Sequence, residues 1–179
     1  MKRTSRPAVR SASAAVTVLL ALSATACTDS GGDGGGAPRA RSGGPVWVEG
    51  QGAAEAAGFM RVQTPAGASD VTGAVQQGFQ DTTYLISFTA QAPDADSFVA
   101  DLRPEEPLRA NTPRDPETYT TITPWSHLGL PEPETERNVR TASVCPPCIK
   151  DERRSTVQSI TVFVQEIGDG RARVYLKAF

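Results

Sequence analysis

The strongest constraint in this chain lies at its C-terminal end. Thr156 to Gln165 carries Ile160, Val162 and Val164 on one face and Phe163 on the other, and Arg173 to Phe179 alternates again. Between the two runs stands Gly168-Asp169-Gly170. Period-two alternation on either side of Asp-Gly turn chemistry specifies a β-hairpin. A second strand is equally legible in Thr83–Thr89. There Tyr84, Ile86 and Phe88 share one face, while Leu85 sits with Ser87 and Thr89 on the other, the pattern of a strand between two layers.

The period then changes. Ala95, Phe98, Val99 and Leu102 follow helical spacing and make one apolar stripe. Pro93 suits a first turn, Asp94 and Asp96 complement the helix dipole, and Pro104 stops the helix. Order is expected to begin near Val46-Trp47-Val48, and Phe59-Met60-Arg61-Val62 reads as a short strand ended by Pro65 and Gly67. Residues 104–133 hold seven of the chain's 14 prolines. A segment of that length without periodicity is usually either functional or poorly ordered. Together these elements predict an α+β domain over 46–179: a small antiparallel sheet of about four strands, closed by the C-terminal hairpin, with one short helix on one face.

The 179 residues are enough for one modest domain. Before it, Lys2, Arg3, Arg6 and Arg10 precede an apolar stretch from Ala14 to Leu22, followed by Ser23-Ala24-Thr25-Ala26 and then Cys27. A basic start, a short apolar middle and a small-residue exit are the parts of a secretory signal peptide over 1–26. The stretch is too short to span a bilayer, which takes about 20 apolar residues.

Ala24-Thr25-Ala26-Cys27 resembles the lipobox of bacterial lipoproteins, with Ala24 where that family usually has leucine. The resemblance covers residues 1–27 and implies cleavage before Cys27, a diacylglyceryl thioether on its sulfur, and attachment to the outer face of the cytoplasmic membrane. The Gly-, Ala- and Arg-rich composition and the overall layout resemble small uncharacterised actinobacterial lipoproteins, a broad type that transfers no activity. Residues 27–45, rich in glycine, read as a tether. Taken as a coil of 18 residues beyond the anchor, it has a root-mean-square span of about 23 Å, so the domain is expected to float near the membrane.

Loss of residues 1–26 leaves 14 basic against 20 acidic side chains, a net charge of −6. An acidic body lacks the concentrated basic surface that nucleic acid requires. Membrane contact is then expected through the acyl chains on Cys27 rather than through a basic face.

Cys145-Pro146-Pro147-Cys148 is the one constellation with intrinsic chemistry. In an exported protein the two thiols are expected to be oxidised together. Pro147 lacks an amide hydrogen and biases Pro146 away from the helical region. The pair is therefore predicted on a loop before the final hairpin, as a local structural clip. The tetrad also resembles that of thioredoxin-like proteins, which implies a thiol–disulfide oxidoreductase with the first cysteine at the N-terminus of a long helix.

Cys145, Cys148 and the single histidine, His127, fall short of the four ligands of a structural zinc site, and neither metal nor cofactor is expected. Ser126 and His127 are adjacent and lack a nucleophile elbow, so no hydrolase is expected. Glu105-Glu106 and Glu132, Glu134 and Glu136 read as solvated surface. Trp125 is expected either to pack beneath its loop or to stand exposed as an anchor for a partner. The reading is a lipid-anchored, non-catalytic binding or accessory module with an unidentified envelope partner.

Overall fold

The computed structural model describes residues 44–179. The signal peptide, Cys27 and the tether up to residue 43 lie outside the described residues. The chain runs β1 (Val46–Gly52), α1 (Ala53–Met60), β2 (Ser69–Gln77), β3 (Thr82–Gln91), α2 (Ala92–Leu102), β4 (Arg109–Ala110), β5 (Val139–Val144), β6 (Ile160–Gly168) and β7 (Arg171–Ala178). All seven strands form one sheet in the order β1-β2-β3-β7-β6-β5-β4, with every neighbouring pair antiparallel. The expected α+β class holds. Among the described residues the sheet is larger than anticipated, and there are two α-helices rather than one.

The hairpin forms where the alternation places it. Asp169 and Gly170 both have positive φ, 52° and 67°, the requirement of a two-residue turn that matches strand twist. A register shift between Glu166 and Gly168 puts a bulge beside it. Helix α2 buries Ala95, Phe98, Val99 and Leu102, the predicted stripe. Phe98 meets Phe88 of β3 edge-to-face, with ring centroids 5.0 Å apart.

The strand expected at Phe59–Val62 is instead the end of α1. The run Ala53-Ala54-Glu55-Ala56-Ala57 has high helix propensity, and the Glu55 carboxylate accepts from the Gly52 amide at 2.7 Å, satisfying a free donor of the first turn. Phe59 and Met60 close the helix, and Arg61 stops it in the left-handed region. Gly73 of β2 allows the start of α1 to lie against the sheet. A Cβ there would come within 2.6 Å of the Ala53 Cα.

Both helices cover one face of the sheet. Ala56 and Met60 of α1 and Phe98 of α2 join Ile86, Phe88, Val162, Val174 and Leu176 in the main core. The opposite face carries a second core of Leu85, Val139, Phe163 and Tyr175, and Trp125 from the Pro-rich segment lies on it. Within the Pro-rich segment, Arg109–Ala110 is β4 of the sheet itself, and residues 122–130 form a cover on this face through Thr123, Trp125, Leu128 and Leu130. Prolines suit this role because a segment lying on a sheet face pairs with no ladder, and fixed φ angles lower the entropy lost on ordering it.

Candidate functional site

Cys145 immediately follows β5 and is disulfide-bonded to Cys148, with Cα atoms 4.4 Å apart. The pair lies on the loop before β6, as predicted. A single 3-10 turn, Cys148–Lys150, follows. Cys148 is fully buried and belongs to the main core, while Cys145 is half-buried against it. The Cys148 amide donates to the Gln158 carbonyl at 3.2 Å, which ties the loop to the start of the hairpin.

Just beyond, Asp151 organises two arginines. Its carboxylate accepts from the Arg153 amide and side chain and from Arg154 Nη1, the last at 2.7 Å. Arg154 is only 3% exposed, and its Nε donates to the Met60 carbonyl at 2.9 Å. A buried guanidinium therefore bolts this loop to the end of α1. Hydrogen bonding to Arg153, assisted by Arg154, holds the Asp151 carboxyl down at about 2.

Trp125 begins a 3-10 turn, Trp125–Leu128, and is buried to 1% exposure. It stands edge-to-face on Tyr175 with centroids 5.0 Å apart. The exposed-anchor alternative is corrected accordingly: an indole filling the second core has no face left for a partner. Cross-bonds hold the cover around it. Gln76 of β2 donates to the Ile122 carbonyl at 2.9 Å and accepts from the Thr123 hydroxyl at 2.6 Å. Tyr175 donates to Gln165, which in turn donates to Glu136.

The remaining candidates are scattered. His127 is exposed and stacks on Trp47 of β1, with centroids 3.8 Å apart. It sits by the β1 edge of the sheet, whereas Cys145 and Cys148 follow β5 near the other edge. Among the described residues no three His, Cys, Asp or Glu side chains are grouped to hold a metal ion. Ser126 is exposed, and its amide donates to Glu132.

Glu105 and Glu106 are exposed as expected, but Glu132, Glu134 and Glu136 are half-buried, a correction to the solvated-surface reading. They line the inner edge of the cover, where burial raises the Glu132 carboxyl. Burial and the adjacent Glu134 push the Tyr119 phenol up to about 12.

An apolar groove stands apart from the residues singled out by motif. The β2–β3 turn, the Ile122 loop and the C-terminus enclose a groove of about 440 Å³, lined by Pro45, Phe79, Ile122, Thr123, Lys177 and Phe179 among others. Phe79 is 97% exposed at the tip of the turn and Ile122 is 78% exposed. Two lone apolar residues in irregular sequence carry no periodic signal, so their convergence is legible only in three dimensions. Among the described residues no helix is long and apolar enough to cross a membrane. No protein-family model, curated protein or solved structure matches this chain.

Proposed function

We propose that this chain is a bacterial lipoprotein: an α+β domain held by acyl chains on Cys27 at the outer face of the cytoplasmic membrane, acting as a non-catalytic binding or accessory module. The observation that carries this reading is the Cys145–Cys148 disulfide. Disulfides persist in oxidising compartments. Pairing these two leaves Cys27 as the odd cysteine of three, and a thioether to lipid accounts for an odd thiol in an exported protein. Labelled fatty acid fed to expressing cells should appear on the protein and vanish in Cys27→Ala. Label that is absent, or that persists in the variant, refutes the anchor.

The surroundings of the pair favour a clip over thiol exchange. An attacking cysteine needs an exposed sulfur at a helix N-terminus, where the dipole lowers its pKa. Cys145 instead follows the end of a strand, and Cys148, buried in the core, opens a three-residue turn. A reduction potential below about −300 mV is expected for an inert bond, and one near −200 to −120 mV would instead favour the oxidoreductase.

A further inference from the structure

We propose that the groove at the β2–β3 turn is a bilayer-docking surface, whose apolar rim enters the boundary between headgroups and acyl chains of the membrane that anchors the chain. The proposal rests on the lipid-anchor reading for its membrane, but separate residues carry it. Among the described residues seven large hydrophobic side chains are exposed, and four of them gather at one end of the sheet: Val46, Phe79, Ile122 and Phe179. Strand register places Val46 beside Gln77 at the turn. Phe79, Ile122 and Phe179 line the groove together. Contiguous exposed apolar surface of this kind marks a site of contact.

Where the chain enters the domain identifies the occupant. Pro45 itself lines the groove, so the described part of the chain begins at this rim. Only 18 residues, 28–45, separate Cys27 from this rim, so an anchor on Cys27 limits how far this end of the domain can lie from the bilayer. The backbone that carries the two most prominent side chains is also fixed before contact. The Gly78 amide closes the Phe79 turn on the Asp81 carbonyl at 2.8 Å, and Gln76 fixes the Ile122 carbonyl. Little ordering entropy is lost when a preset surface inserts. Lys177 at the groove can extend its ammonium toward lipid phosphate while its stem stays apolar.

The test uses residues 44–179, which contain the whole sheet, both helices and the cover, and lack Cys27. Gly44→Cys, a position with no atom within 4 Å of an added Cβ, couples the domain to maleimide lipid in phosphatidylcholine vesicles whose acyl chains carry bromine. In a Trp47→Phe background, where the remaining Trp125 is buried, tryptophan is introduced at the rim as Phe79→Trp or at the opposite end of the sheet as Ile167→Trp, more than about 20 Å away along the strands. The rim probe should be quenched, as insertion to a depth of about 5–10 Å requires, and the Ile167→Trp probe should not. Without the tether, Phe79→Ser with Ile122→Ser should lower vesicle partition of the domain about a hundredfold, at roughly tenfold per side chain. Equal quenching at both ends, or unchanged partition, overturns the proposal. So does a dimer in solution that the same double substitution dissolves, since a second copy would then be the occupant. Neither measurement involves Cys27, so docking and acylation fail independently.

Discussion

Trp125→Ala should unfasten the cover from the second face of the sheet. The indole is 1% exposed, and a tryptophan buries roughly 150–250 Å². At about 25 cal/mol per Å² the transfer contribution is about 4–6 kcal/mol, an upper bound because the unfolded chain already shields some of that area. The edge-to-face contact with Tyr175 adds about 0.5–1.5 kcal/mol. Against this, the cover is irregular chain and can settle partly into the vacated space, which places the expected loss at about 3–4 kcal/mol, within the range for large aromatic truncations. That is a large share of a typical domain's 5–15 kcal/mol.

Trp125→Phe separates packing from hydrogen bonding. The indole N–H has no partner among the described residues, so phenylalanine forfeits area but no bond and should cost about 1–2 kcal/mol. Urea unfolding followed by circular dichroism measures both variants, and limited proteolysis locates the change. Cleavage in the Trp125→Ala protein should fall within 111–138 while the hairpin stays protected. A loss below about 1 kcal/mol for alanine, or equal losses for alanine and phenylalanine, would refute the reasoning.

Asp151→Asn should lower stability at neutral pH by about 1.5–3 kcal/mol, since the buried Arg154 loses a charged acceptor. The Asp151 carboxyl sits at about 2, below its ordinary 3.8, so its contribution is present above pH 4 and is lost as pH falls through 2. Wild type and variant should therefore converge in acid unfolding. Replacing Cys145 and Cys148 together by alanine should leave the far-ultraviolet dichroism unchanged and lower the urea stability by about 2 kcal/mol or less, because the closed loop is so short. Alanine is preferred to serine because Cys148 is fully buried, and a hydroxyl there would add its own desolvation cost.

Elements with strong local periodicity were legible in the sequence by itself. The C-terminal hairpin, β3, α2 and the disulfide clip each depend on residues within a few positions of one another, and alternation, helical spacing and turn chemistry are local properties. The chain's N-terminal pattern likewise supports the lipid-anchor reading through a short contiguous motif. Strand β5, Val139–Val144, was not recognised because small and polar residues interrupt its apolar positions. It is a strand because β6 offers it a ladder. Phe59-Met60 carried a β-like composition, and the alanine-rich run before it together with the Glu55 cap decided for helix.

What only the tertiary structure decided is the second face of the sheet. No pattern around Trp125 says that it lies across Leu85, Phe163 and Tyr175, because these partners come from strands 38 to 50 residues away on either side of it. The same separation hid the groove, which assembles Pro45, Phe79, Ile122 and Phe179 from four distant points of the chain. Burial of an aperiodic segment is set by the surface it meets, and that surface exists only once β3 and β7 have paired.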